Sequence, residues 1–141
     1  MHPSPLLAPV VALVAWSMVM FFWLAIARAP QLKGRKIPEG ARGTDLEREQ
    51  PGPTHWPAHN YQHLMEQPTV FYAIVFALIL MRFDAPINVW LAWGYVGLRV
   101  VHSIVQSTVN VVRIRFVIFL LATLCLIGLT THAALRLILG H

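Results

Sequence analysis

Long apolar runs separated by polar segments dominate the sequence. A helix that crosses about 30 Å of hydrocarbon needs about 20 mostly apolar residues. Residues 6–27 and 116–135 meet this length without any Asp, Glu, Lys or Arg. Two further runs, 63–81 and 87–105, reach it only if polar residues are counted, among them Arg99 and His102 in the second of the two. The pattern predicts four transmembrane helices at about residues 6–27, 61–82, 87–108 and 114–137.

A hydrophilic segment, residues 28–58, separates the first two predicted helices. It holds five of the ten prolines and four of the eight glycines, together with most of the charge. Proline and glycine interrupt regular structure, so we expect a long loop here. The sequence as a whole predicts one membrane domain over residues 1–141, with an all-α fold that forms a four-helix bundle.

The composition supports an integral membrane protein and argues against other classes. The chain is 57% hydrophobic and 12% charged, with a mean hydropathy of +0.59, which lies outside the usual range of soluble domains. The net charge is +5, but the basic residues occupy short segments between apolar runs and lack aromatic partners in a polar setting. We therefore interpret them as topology signals and expect no nucleic-acid partner.

The distribution of basic residues predicts the orientation of the chain. Cytoplasmic loops are enriched in Lys and Arg. The opposite face carries only Arg82 and Arg136, whereas the first and third loops carry eight basic residues: Arg28, Lys33, Arg35, Lys36, Arg42, Arg48, Arg113 and Arg115. We therefore expect loops 1 and 3 in the cytoplasm and both termini outside.

Polar residues form one stripe on each of the two middle helices. Residues three or four positions apart share a helix face. One stripe lies at the start of the second helix and the other toward the end of the third; they consist of His59, His63 and Glu66, and of Arg99, His102, Ser103, Gln106 and Asn110. Because the two helices run in opposite directions, the stripes are expected to meet in the cytoplasmic half of the membrane.

A charged residue inside a membrane is costly unless it is compensated, so we predict that Glu66 and Arg99 form an ion pair. Two interpretations of the stripes remain open. One is a structural cluster that holds the helices together. The other is a cytoplasm-facing pocket for an anionic or amphipathic ligand, since Arg99, His102 and the neighbouring polar residues supply more hydrogen-bond donors than Glu66 can use.

Two motifs in these helices resemble a known family. They are Asn60-x-x-His63-x-x-Glu66-x-Pro68-x-x-Phe71-Tyr72 and the run from Leu98 to Ser103 that contains Arg99 and His102. Together with the four-span layout and the long basic loop, they look like the MAPEG family, the membrane-associated proteins in eicosanoid and glutathione metabolism. The local spelling resembles the bacterial branch, which implies a bacterial inner membrane.

The resemblance implies a homotrimer that binds glutathione as a co-substrate between subunits and transfers it to a lipophilic small molecule delivered by the membrane lipids. It implies catalytic roles for Arg115 and Arg113, which would meet carboxylates of glutathione or stabilise its thiolate. The residues implied in glutathione binding are Arg28, His59, Asn60, His63, Glu66, Arg99, His102, Ser103 and Gln106. Gln106 stands where several eukaryotic members carry Tyr, so it supplies an amide in place of a phenol.

Two alternatives to a glutathione transferase or peroxidase remain. One is a non-catalytic membrane module of the same fold that binds a lipid or a partner protein through the cytoplasmic cleft. The other is a haem held between His63 and His102. Cysteine and histidine spacings typical of zinc sites are absent from the sequence, and we expect no metal site.

Overall fold

The fold is all-α, as the sequence predicts. The computed structural model describes residues 2–49 and 51–140. Within these ranges there is no β-strand, and the regular elements are α1 (Leu7–Leu32), α2 (Gly43–Glu49), a single 3-10 turn (Pro53–His55), α3 (Trp56–Leu80), α4 (Pro86–Thr108) and α5 (Val112–Leu139).

The four long helices begin and end where the sequence allows. Pro86 is the first residue of α4, a position where the missing N–H of proline leaves no hydrogen bond unmade. Gly140 follows α5 in the left-handed conformation, with φ of 66°, which glycine adopts without strain. Pro68 lies inside α3, where it removes one backbone donor.

Each long helix runs antiparallel to the long helix that follows it. The contacts that show this join the beginning of one helix to the end of its neighbour: Phe21 with Tyr61 (ring centroids 5.7 Å apart), His63 with His102 (6.4 Å) and Asn88 with His132 (a hydrogen bond of 2.7 Å). The last residues of α1 and α4 and the first residues of α3 and α5 therefore lie at one end of the molecule, called here the loop end. The α3–α4 turn lies at the other end, called the turn end.

Three segments are long and apolar enough to cross a membrane: Leu7–Leu32, Pro53–Leu80 and Val112–Leu139. The helix α4, of 23 residues, does not satisfy the same hydropathy criterion. Its buried face explains the difference, because it carries a row of polar side chains: Arg99, His102, Ser103, Gln106 and Ser107. The fourth span stays a prediction, although α4 packs against α1, α3 and α5.

The interior contains a compact apolar core, and the outside of the helices is also apolar. Phe71 and Tyr95 are both fully buried and stack with ring centroids 4.4 Å apart and planes inclined by 12°. On the outside, Leu80, Trp90 and Ile138 are 85%, 75% and 79% exposed. A surface of this kind is solvated by lipid, which agrees with an integral membrane protein.

The predicted loop over residues 28–58 contains more structure than the sequence indicated. The helix α1 continues to Leu32, the short helix α2 forms within the loop, and α3 begins at Trp56 after the 3-10 turn. The helices therefore extend beyond the predicted spans at this end. The spans themselves stay predictions.

A buried asparagine fastens the turn end. Asn88 is fully buried, and its amide nitrogen donates to the backbone oxygen of Phe83 at 3.0 Å. Its side-chain oxygen lies 2.7 Å from Nδ1 of His132. Because the amide oxygen only accepts, Nδ1 of His132 is the donor. This pair of hydrogen bonds ties the α3–α4 turn to the end of α5.

Candidate functional site

A pocket of about 250 Å³ opens at the loop end where α3, α4 and α5 meet. Its lining divides into a polar and an apolar part. The polar part consists of His63 from α3, His102 from α4 and Arg115 from α5, and the apolar part consists of Val112, Phe116 and Phe119 from α5. The pocket can therefore hold an anionic group beside an apolar one.

Two histidines line the pocket, and one of them has a buried ring nitrogen without a hydrogen-bond partner among the described residues. Their rings lie 6.4 Å apart in an edge-to-face arrangement. Nε2 of His102 is 3.1 Å from the side-chain oxygen of Gln106, which accepts its hydrogen. Nδ1 of His102 then carries no hydrogen in the neutral ring, and it has no hydrogen-bond partner among the described residues. This nitrogen is buried, so it is an unsatisfied acceptor behind the pocket surface and is not accessible from the pocket.

Arg115 provides the positive charge at the mouth of the pocket. One of its terminal nitrogens donates to the side-chain oxygen of Asn110, which lies in the α4–α5 connection with φ of 49°. Asn adopts this left-handed conformation more readily than most residues. The α4–α5 connection therefore holds the guanidinium beside the two histidines, while Nε of Arg115 has no partner within the described chain.

Arg99 lies beneath the pocket, only 1% exposed, and it makes no ion pair with any described carboxylate. Its Nη1 donates to Oε1 of Gln67 at 3.3 Å, and its Nη2 donates to the backbone oxygen of His63 at 3.0 Å. Both acceptors are neutral. A buried cation is therefore held directly behind a pocket-lining residue without a compensating charge.

The predicted ion pair between Glu66 and Arg99 is wrong within this chain. Glu66 is exposed, and its carboxylate contacts His63 at 3.7 Å and Gln62 at 3.3 Å on the surface of α3. The physical reason is the helical rotation of about 100° per residue. Gln67, one position later, faces Arg99, and Glu66 is turned away from it.

Other predicted site residues have side chains that are buried between the helices and do not line the pocket. Asn60 and Ser103 are each 1% exposed, and neither side chain has a hydrogen-bond partner among the described residues. Gln106 is equally buried, and its side-chain oxygen accepts the hydrogen bond from His102. Four residues of the predicted stripe, Arg99, His102, Ser103 and Gln106, therefore lie on one buried face of α4, whereas Asn110 lies beyond the end of the helix. Only His102 from that stripe lines the pocket.

The remaining predicted residues lie on the loop side. Arg28 and His59 line a separate cavity of about 400 Å³ between the first loop and α3. His59 contacts Glu47 at 3.0 Å, and this hydrogen bond is the main reason that the pKa of Glu47 is lowered; the positive charge of a protonated His59 lowers it further. Arg113 is exposed and lines neither cavity.

Gly43 leaves room for Arg28. A Cβ added to Gly43 would lie 2.7 Å from Nη2 of Arg28, closer than real contacts allow. Arg28 is therefore packed against the start of α2, away from the pocket formed by α3, α4 and α5. The structure thus separates the predicted glutathione-binding residues into a pocket group, an interior group and a loop group, with Glu66 on the exposed surface of α3.

Sequence reasoning did not identify the apolar side of the pocket. Val112, Phe116 and Phe119 lie at spacings of four and three residues on α5, the spacing of one helix face. That spacing was a usable signal. It was hidden because most neighbouring positions of α5 are apolar too, so the sequence does not distinguish the pocket-facing side from the lipid-facing side.

These features define a class of protein: an all-α integral membrane protein with a cationic, partly apolar pocket at one end of its helices. A model of the MAPEG family matches residues 6–135, nearly the whole chain. The chain belongs to the MAPEG family, which confirms the resemblance seen in its sequence. No curated protein and no solved structure was found to match it.

Proposed function

We propose that this protein is a glutathione-dependent transferase that conjugates glutathione with lipophilic electrophiles in the membrane. The observation that carries the proposal is the pocket that joins Arg115, His63 and His102 to the apolar wall of Phe116 and Phe119. One side of the pocket suits an anionic thiol and the other an apolar acceptor.

The proposed division of roles follows from the chemistry of the lining. Arg115 stabilises the thiolate or binds a carboxylate of glutathione, because a cation lowers the pKa of a nearby thiol. His63 and His102 form the rest of the polar side that faces the ligand. Phe116 and Phe119 hold the electrophile against the sulfur. Membership in the MAPEG family supports this assignment without specifying the reaction.

The reaction itself is a substitution at carbon. The thiol loses its proton to solvent, and the sulfur lone pair forms a bond to the electrophilic carbon. With 1-chloro-2,4-dinitrobenzene as the acceptor, the carbon–chlorine bond then breaks and chloride leaves with the bonding electrons. One proton and one chloride are released for each thioether formed.

We also propose the orientation and the assembly that the sequence implies. All eight basic residues of the first and third loops lie in or beside segments at the loop end, and only Arg82 and Arg136 belong to the turn end. By the positive-inside rule, we expect the pocket on the cytoplasmic side and both termini outside. The membrane that we propose is a bacterial inner membrane, because the local sequence resembles the bacterial branch of the family. Assembly as a homotrimer would cover part of the exposed apolar helix surface and would bring a second chain to the site.

The test uses the purified protein in phospholipid vesicles. Calorimetry with glutathione should show saturable binding, and addition of 1-chloro-2,4-dinitrobenzene should give thioether product at a rate proportional to the amount of protein. An inactive matched control is the protein loaded with S-methylglutathione, which has no thiol. Absence of glutathione binding, together with a lipid or protein that copurifies tightly, would refute the transferase and would instead indicate the non-catalytic module.

A further inference from the structure

We infer that Gln67 is a positioning residue that holds Arg99 toward the pocket while leaving its charge uncompensated, so that the site selects a ligand that arrives as an anion. The inference rests on the proposed function of the same pocket. It concerns a residue outside the pocket lining, which acts through Arg99.

Gln67 connects three helices at the base of the pocket. Its Oε1 accepts from Nη1 of Arg99 at 3.3 Å and from the hydroxyl of Tyr95 at 3.4 Å. Its Nε2 donates to Oγ1 of Thr123 on α5 at 3.0 Å. Thr123 in turn donates to the backbone oxygen of Phe119 at 2.9 Å. Gln67 thus links the buried cation to the backbone that carries the apolar wall.

The orientation of the amide is fixed by its partners. Arg99 has only donors, so the oxygen of Gln67 must face it and the nitrogen must face Thr123. The Thr123 hydroxyl accepts a hydrogen bond from Gln67 and donates its own hydrogen to the backbone oxygen of Phe119, so it cannot also donate to Gln67. The side chain therefore has one hydrogen-bonded arrangement, and Arg99 is held in one position behind His63.

A carboxylate would make the stronger partner for Arg99, yet the acceptor at this position is a neutral amide. Uncompensated charge in a low-dielectric interior attracts anions over a longer range than a charge in water. Because Nη2 of Arg99 already contacts the backbone of the pocket-lining His63, this field reaches the pocket. Gln67 consequently favours a negatively charged ligand at some expense of stability.

Gln67→Glu tests this inference because it keeps the shape and the acceptor but adds a negative charge next to Arg99. Thr123 can rotate its hydroxyl to donate to the new carboxylate, so the fold should be retained. We expect about tenfold weaker glutathione binding, which corresponds to about 1.4 kcal/mol. The ultraviolet absorbance of the bound thiolate should show a higher pKa of the glutathione thiol.

The dimethyl ester of glutathione is the matched ligand, since it lacks both carboxylate charges. The wild type should prefer glutathione to the ester, and Gln67→Glu should reduce that preference. Gln67→Met is the matched variant, because it removes all three hydrogen bonds of the side chain without adding charge. Equal affinity of wild type and Gln67→Glu for glutathione would overturn the inference while leaving the proposed function intact.

A stability measurement decides the inference even if the protein binds no glutathione, an outcome that would refute only the proposed function. In the wild-type background, Gln67→Glu should raise Tm because the new carboxylate compensates the charge of Arg99. The expected rise is about 3 °C for each kcal/mol of stability gained. In an Arg99→Met background the same change should lower Tm, since it leaves a carboxylate without a cation. The same response in both backgrounds would show that Arg99 carries no uncompensated charge.

Discussion

Replacing Arg115 by Met should weaken glutathione binding much more than the same replacement of Arg113. The two arginines are two residues apart at the start of α5, and sequence reasoning gave both the same role. The structure separates them, because Arg115 lines the pocket and is held by Asn110, whereas Arg113 is exposed and lies outside the pocket. Only the first should contribute its charge to the site.

The magnitude follows from the geometry of Arg115. A hydrogen bond between a guanidinium and a carboxylate or thiolate contributes about 1.5–3 kcal/mol. Arg115 is half-buried, so solvent screens part of its charge. We therefore expect a loss of about 2 kcal/mol, or roughly 30-fold in Kd, for Arg115→Met. Arg113→Met should change Kd by less than about twofold.

Calorimetric titration of each variant in vesicles measures the difference, and kcat/KM with 1-chloro-2,4-dinitrobenzene gives an independent value. Arg115→Lys is a useful intermediate, since it keeps the charge but lacks the planar group with several donors. It should recover part of the lost affinity. Equal losses from Arg115→Met and Arg113→Met would refute the assignment of the pocket as the glutathione site.

Three further predictions concern the fold. Asn88→Leu should cost about 2–4 kcal/mol, because it removes both hydrogen bonds of a fully buried amide and leaves His132 without an acceptor; a drop in Tm measures this, and an unchanged Tm would contradict it. Phe71→Ala should cost about 3 kcal/mol through loss of a buried ring stacked on Tyr95, with Phe71→Leu as a milder control in the same thermal assay. The contact of His59 with Glu47 should persist above the ordinary glutamate pKa and be lost as the pH falls through the lowered pKa of the folded state. Amide exchange in residues 43–49, corrected for the intrinsic exchange rate at each pH, should show weaker protection at acid pH. Protection that stays the same at every pH would refute this prediction.

The class of fold was predictable from the sequence because hydrophobic run length is a direct consequence of membrane thickness. The apolar runs at both ends of the chain correspond to α1 and α5, and the polar stripe of α4 lies on one buried face as its spacing indicated. Local structure in the first loop was less predictable. The short helix α2 has too few residues to give a clear periodic pattern.

The partners of individual side chains were harder to predict than the helices that carry them. A rule based on residues three and four apart placed Glu66 on the face with His63, which is where the structure has it. It did not say which of two adjacent residues faces α4. The predicted partner of Arg99, Glu66, is therefore one position away from the observed partner, Gln67. The choice between them depends on how α3 and α4 are rotated against each other, and that rotation depends on packing of the whole core.

The exposed rim of the pocket determines how activity should be measured. Val112 and Phe116 are 72% and 63% exposed, so the apolar side of the pocket opens sideways and not only toward the aqueous phase. For the proposed transferase, a lipophilic electrophile would then reach the sulfur from the bilayer, where partitioning concentrates it. An apparent KM expressed per volume of buffer would change with the amount of lipid in the assay. Expressed as mole fraction of electrophile in the membrane, the KM should be constant, and rates from vesicles and from detergent micelles become comparable only on that scale.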